Sequence, residues 1–246
     1  MFQSATQTSM PDKPENLSCA FCKTRVNSLF GSLDEEGLHD LSANKTCIKY
    51  KKGQTLFYEG TRPMGIYCIN SGKAKVYKLS SQGKEQIINI CNPGDLLGYR
   101  AILSEEYYSA SATVIEEASI CFIPKEDFMG LLNKNPMFFQ KIIKSICHEL
   151  GVMREKIADL AQKSVRERLA GSLLMLKETY GVDGSESTLI DISLSREDLA
   201  NIVGTATETV IRILSEFKRD GLISLEGKKI KVLKPRELAK EADFYG

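Results

Sequence analysis

The chain has 246 residues, with 33 lysines and arginines against 32 aspartates and glutamates and a net charge of +1. A chain of this length can bury a core in each of two domains, and its near-neutral balance excludes binding to nucleic acid or membrane by bulk charge, so such contacts must come from local patches. No apolar run approaches a membrane span and the first residues lack a basic-then-apolar leader, so we expect a cytoplasmic protein with no membrane partner.

Residues 1 to about 17 are polar and carry Pro11 and Pro14, the composition of a flexible tail. Cys19-x-x-Cys22 follows, and 1–27 is set apart as a flexible N-terminal segment holding that pair. Five further cysteines (Cys47, Cys68, Cys91, Cys121, Cys147) are spread thinly, and the odd total of seven is a poor disulfide framework. In a reducing compartment most are expected to be buried thiols. From about Cys47 to Pro124 the character is β. Segments 55–58, 65–69, 73–79, 85–91, 110–115 and 118–123 are short and rich in Ile, Val, Tyr and Phe. Turn signals such as Asn70-Ser71-Gly72 and Asn92-Pro93-Gly94-Asp95 separate them. Strands at this spacing predict a small antiparallel barrel or jelly roll over 28–135.

A long helix is predicted from Pro136 to about Gln162, within a segment 136–163. Phe139, Ile142, Ile146, Leu150, Met153, Ile157 and Leu160 recur every three or four residues, close to a heptad seam. At 1.5 Å per residue the helix is about 40 Å long. The stripe could pack on its own domain; we read it as a dimer interface, because helix-turn-helix proteins use two half-site contacts. A second helix runs from Ser164 to about Tyr180 with Arg166, Arg168 and Lys177, and a loop at 181–187 ends it.

The C-terminal part, 164–246, carries the most specific pattern. Ser195 with Asp198 has the spacing of a capping box, and Leu199, Ile202 and Val203 give the helix after it an apolar face. Gly204 supplies a sharp turn, Thr205 with Glu208 repeats the capping pattern, and Val210, Ile211, Leu214 and Phe217 form the stripe of a second helix that Gly221 stops. A hairpin follows, 222–224 and 229–233 around Glu226-Gly227-Lys228, rich in lysine (Lys228, Lys229, Lys231, Lys234). This is a winged helix-turn-helix, whose second helix enters a DNA major groove. Glu can accept from the cytosine amino group and Arg can bind guanine bidentately, so Glu208 and Arg212 can read a C·G or G·C step. Ser195, Arg196, Thr205, Thr207, Thr209, Lys228 and Lys229 complete the expected DNA-binding set. With neither a Gly-x-Ser-x-Gly elbow nor a P-loop, and only His39 and His148 as histidines, no catalytic machinery is visible.

An α+β chain built as a β-roll, a long helix and a winged helix-turn-helix resembles the Crp/Fnr family of bacterial transcription regulators. The motifs that carry the resemblance are Lys52-Gly53-Gln54-Thr55-Leu56-Phe57, Ile69-Asn70-Ser71-Gly72-Lys73, residues 90–98 (ICNPGDLLG) and residues 204–214 (GTATETVIRIL). It implies a cyclic-nucleotide-binding-like roll and a homodimer on double-stranded DNA. The site would be a near-palindromic promoter element, contacted together with RNA polymerase. Ile211 departs from the family, whose anaerobic regulators have Ser there and whose cyclic-AMP receptors have Gly.

Three readings of the sensed signal stand side by side. The family's nucleotide binders place Arg-Ser-Ala where this chain has Tyr108-Ser109-Ala110, and Asp95 stands where a Glu would hold the ribose. A buried phosphate without a cationic partner is costly, which argues against cyclic AMP. The resemblance also implies an iron–sulfur cluster at Cys19, Cys22 and Cys121, although Ser28 occupies the place of another thiol and a cluster takes four thiolates. Cys47 or Ser28 could replace it; otherwise Cys19 and Cys22 are reduced thiols or a redox dithiol, and Cys121 a core thiol. The third reading is an unidentified effector in a pocket around Gly94, Asp95, Leu96, Tyr108 and Ser109, or control by abundance. A regulatory module that acts on a partner protein is the rival to DNA binding.

Overall fold

The computed structural model describes residues 18–182, 188–192 and 194–243. The expected tail at 1–17 and most of the loop at 181–187 lie outside the described residues. Three short 3₁₀ turns (Cys19–Phe21, Arg25–Asn27, Leu29–Ser32) lead into α1 (Glu35–Asn44), β1 (Thr46–Tyr50), β2 (Thr55–Phe57), β3 (Gly65–Ser71), β4 (Ala74–Leu79), β5 (Glu85–Cys91) and β6 (Leu96–Leu97). Then come α2 (Tyr99–Leu103), β7 (Ser111–Val114), β8 (Ala118–Pro124), α3 (Lys125–Lys134), α4 (Pro136–Gln162) and α5 (Val165–Tyr180). The chain continues with β9 (Thr188–Ile190), α6 (Arg196–Val203), α7 (Thr207–Arg219), β10 (Ile223–Glu226), β11 (Lys229–Val232) and α8 (Pro235–Glu241). Two compact units result, one of Met1–Val76 with Ile90–Ile143, the other of Tyr77–Asn89 with Lys144–Gly246.

The roll consists of two antiparallel sheets, β1-β8-β3-β6 and β2-β7-β4-β5. In the first, Cys47 pairs with Cys121 and Cys121 with Cys68, so three cysteines stand in a row across three strands. Directly opposed residues project from the same face of a sheet. Cys47 and Cys121 are joined as a disulfide, which corrects the expectation of free thiols at both. Spacing in the sequence could not show it, because the register of β1 on β8 brings together residues 74 apart in the chain.

An aromatic cluster packs within the largely aliphatic core of the first unit. Phe30 stacks on Phe138 at 5.5 Å, and Phe128 meets Phe138 edge-on at 6.2 Å. Phe138 and Ile142 are fully buried, so the first turns of α4 are committed to this core. That removes Ile142 from the expected seam. Its neighbour Ile143 is exposed, together with Phe139, Leu150, Ile157 and Leu160, while Ile146 and Met153 are half-buried. The corrected stripe, 139, 143, 146, 150, 153, 157 and 160, steps strictly by four and three residues, the heptad rule.

In the second unit, Ser164 and Glu167 close a capping box on α5: the Glu167 N–H donates to Ser164 Oγ at 3.3 Å and the Ser164 N–H to Glu167 Oε2 at 2.6 Å. Pro235 opens α8 where its missing N–H costs nothing. Leu169, Leu173, Val210, Leu214 and Phe217 are buried at 1 % exposure or less and form the core of this unit.

Candidate nucleic-acid interface

Each end of α6 is fixed by its sequence. Ser195 Oγ accepts from the Asp198 N–H at 2.9 Å, Asp198 Oδ2 accepts from the Ser195 N–H at 3.0 Å, and Gly204 ends the helix in the left-handed region at φ 75°. A side chain at Gly204 would be strained there, which is why glycine suits the turn. The second cap is not the expected one. Ala206 occupies the N-cap of α7 without a side-chain bond, and Thr205 instead sits in the turn with its N–H on the Ala200 carbonyl at 3.0 Å.

The buried stripe of α7 is Val210, Ile213, Leu214 and Phe217, so Ile211, expected in the core, is a correction: it is 48 % exposed. The reason is phase. Positions 208, 211, 212 and 215 follow the i, i+3, i+4, i+7 rule for one helix face, opposite the core stripe. Glu208, Ile211, Arg212 and Ser215 therefore share one exposed face, with half-buried Thr207 and Thr209 beside it in the first turn. Apolar character alone does not mark burial on this helix; the phase of the position does. Arg212 Nη1 donates to Glu216 Oε1 at 2.6 Å, which holds the guanidinium along the helix surface.

Strands β10 and β11 form the wing, with Glu226 opposite Lys229 and Gly227 at φ 60° opening a two-residue turn. Lys228 and Lys229 are exposed at its tip. Arg196 donates Nη2 to the Gly227 carbonyl at 3.0 Å and Nη1 to the Lys228 carbonyl at 3.4 Å, and burial pushes its guanidinium below its ordinary pKa. So the first residue of α6 holds the wing tip, and Arg196 positions the lysines. Arg166 and Arg168, basic residues of α5, are structural. Arg166 lies over the Phe217 ring at 4.6 Å and donates to Glu241 at 2.6 Å and Glu216 at 2.9 Å. Arg168 donates to the carbonyls of Val203 at 3.0 Å and Lys163 at 2.6 Å.

A second constellation lies in the first unit. Cys19, Cys22, Cys68 and Cys121 line one cavity of about 30 Å³, with Ser28, Arg25 and Lys45 also on its wall. The Cys19 N–H donates to Ser42 Oγ of α1 at 3.0 Å, which pins the N-terminal segment, and the Cys22 thiol donates to Asn70 Oδ1 at 3.3 Å. Burial pushes the Cys68 thiol up to about 12; the neighbouring Cys22 and Cys19 thiols add to this, and Lys45 opposes it. Among the described residues, no group of three Cys, His, Asp or Glu side chains could hold a single metal ion. Three of the four cysteines, Cys19, Cys22 and Cys68, are free thiols, and Cys121 is held in the disulfide with Cys47. With that disulfide opened, the cysteines of the cavity would match in kind and number the four thiolates of a polynuclear cluster.

The residues expected to form an effector pocket are engaged in the frame of the roll. Asp95 Oδ2 accepts from the Asn92 N–H at 2.8 Å, and the backbone of Thr24 and Asn27 lies over Gly94, within 3.5 Å of where a Cβ would stand. Leu96 is paired with Cys68 on β3. Tyr108 stacks on Phe57 at 4.0 Å and donates its hydroxyl to the Gly65 carbonyl at 3.2 Å. Tyr108 is thus held by both stacking and a hydrogen bond, and Ser109 is exposed beside it.

The fold and the exposed face define a class: a β-roll joined by a long helix to a winged helix-turn-helix. Residues 47–135 match the cyclic nucleotide-binding domain family, and residues 167–241 match the Crp-like helix-turn-helix domain family. The regulatory protein HlyX of Actinobacillus pleuropneumoniae is 32% identical over 90% of this chain and 92% of its own. The transcriptional activator protein Anr of Pseudomonas protegens is 30% identical over 82% of this chain and 84% of its own. The structure of FixK2 from Bradyrhizobium japonicum shares the fold with a TM-score of 0.71 at 24% identity, over 80% of this chain and 96% of that one. The chain belongs to the Crp/Fnr family: it is a DNA-binding transcription regulator and not an enzyme.

Proposed function

We propose that the protein acts in the cytoplasm as a homodimer that reads a near-palindromic promoter site and works there with RNA polymerase. The observation that carries this is the shared exposed face of Glu208, Ile211, Arg212 and Ser215 on α7, with Lys228 and Lys229 on a wing tip that Arg196 holds. Glu208 and Arg212 supply hydrogen bonds to base edges, and Ile211 suits the methyl group of thymine. Lys228 and Lys229 suit phosphates, which set affinity and register without reading sequence. The exposed heptad stripe of α4 supports pairing of two copies, since a seam of this kind buries its apolar side chains against a second helix. No helix of the described residues is long and apolar enough to cross a membrane. Footprinting on a promoter fragment tests the reading: two protected half-sites one helical turn apart are expected, about 34–36 Å centre to centre. A single half-site protected by a monomer would contradict it.

One observation favours an iron–sulfur signal over an unidentified effector: the Cys19/Cys22 pair and Cys121, distant from it in sequence, line the same cavity. Such a cluster, when bound, supplies an oxygen-sensitive redox centre. This chain's residues would hold it by their thiolates, and Cys121 must first be released from Cys47.

A further inference from the structure

We propose that Cys68 supplies the fourth thiolate of the site formed by Cys19, Cys22 and Cys121. The inference rests on the cluster reading above and goes beyond it, because it says which residue replaces the thiol that Ser28 lacks.

Four observations converge on Cys68. It lines the cavity with the other three, whereas Cys47 is not among the lining residues. Its strand sets it directly opposite Cys121, so both side chains leave the sheet on the same face. Ser28 also lines the cavity, but its hydroxyl donates to the Arg25 carbonyl at 2.7 Å and is a poor iron ligand beside a thiolate. Finally, four thiolates bring negative charge into a buried space, which is costly unless compensated. Lys45, itself buried, and Arg25 put positive charge on the same wall.

Ligation requires no net redox change at iron. When a preformed cube carrying four small thiolates is offered, each protein thiol passes its proton to one leaving thiolate; four iron–sulfur bonds break and four form. A dithiol opens the Cys47–Cys121 disulfide, giving it two electrons and two protons and becoming a disulfide itself. Each coordinating thiol, Cys68 included, gives up its proton on binding.

The test uses the full chain without oxygen, with excess dithiothreitol and a [4Fe–4S] cube capped by 2-mercaptoethanolate. Iron and sulfide per chain and the electron paramagnetic resonance of the reduced cluster are read for wild type, Cys47→Ser, Cys68→Ser and Cys68→Ala. The double variant Ser28→Cys/Cys68→Ser is included. Wild type and Cys47→Ser are expected to load equally. Both Cys68 variants are expected to retain about tenfold less iron or lower, with unchanged circular dichroism, and the double variant is expected to regain the cluster because residue 28 lines the same cavity. If wild type takes up no iron with sulfide, the cluster reading itself fails. If wild type loads and the Cys68 variants load as well, Cys68 is not the ligand while the cluster stands. Loss of the cluster in Cys47→Ser would assign the position to Cys47 and overturn the proposal.

Discussion

Arg212 and Glu216 stand one helical turn apart on α7, joined Nη1 to Oε1 at 2.6 Å, and the other oxygen of Glu216 is held by Arg166 at 2.9 Å. An exposed pair of this kind contributes only a few tenths of a kcal/mol to stability. Its consequence is orientation: Arg166, fixed over Phe217, sets the carboxylate that sets Arg212. Replacing Arg212 with Ala is expected to weaken binding to the specific site by about 1–3 kcal/mol and to relax discrimination at one guanine. The melting temperature should be nearly unchanged. Fluorescence anisotropy with matched and substituted duplexes checks this, and unaltered specific affinity would remove Arg212 as a base reader.

Lys229 makes a different contact and has a different signature. Lys229→Ala is expected to weaken binding to all sequences alike and to reduce the slope of log K against log salt by about one. A titration over several salt concentrations measures it. A loss confined to one sequence would mean that the wing reads bases.

Ile211 is exposed beside Arg212 and has no part in the core. Ile211→Ser should leave thermal stability within about 0.5 kcal/mol and change base preference at a single position, an A·T pair whose methyl group isoleucine covers. By contrast Phe217→Ala, at a fully buried position, is expected to cost about 3–5 kcal/mol. Calorimetry on both variants separates the two faces of α7.

The seam of α4 makes a paired prediction. Leu150→Glu places a charge on the exposed stripe and is expected to give folded monomers with poor DNA affinity. Ile142→Glu places it in the aromatic core of the first unit and should unfold that unit, whatever the oligomeric state. Sedimentation with circular dichroism distinguishes them; a stable Leu150→Glu dimer would refute the seam.

Thiol chemistry offers a check at neutral pH. The thiolate is the nucleophile, and Cys68, buried and pushed up to about 12, stays neutral far into alkaline solution, whereas Cys147 is exposed. With iodoacetamide and mass spectrometry, Cys147 is expected to be labelled first and Cys68 only after unfolding. Rapid labelling of Cys68 in the folded protein would contradict its burial.

Much of this was legible in the sequence because the signals are local. Ser195, Asp198 and Gly204 fix α6 through bonds spanning three or four residues, and the uninterrupted stretch after Pro136 gives α4 to the residue. What the sequence hid depends on tertiary phase. Ile142 and Ile143 are equally apolar, and only the packing of Phe138 against Phe30 decides which of them turns inward. Ile211 and Ile213 differ in the same way. The cysteine cavity was half visible: Cys19, Cys22 and Cys121 could be grouped by resemblance, but Cys68 joins them only through the register of β3 on β8.

The most direct test of DNA reading by α7 and the wing is selection of bound duplexes from a random pool, sequenced for wild type and Arg212→Ala side by side. Wild type is expected to enrich an inverted repeat with a G·C pair at matching places in both half-sites, and Arg212→Ala to lose that pair while keeping the repeat. Enrichment of no sequence by wild type, or of the same G·C by both, would contradict it.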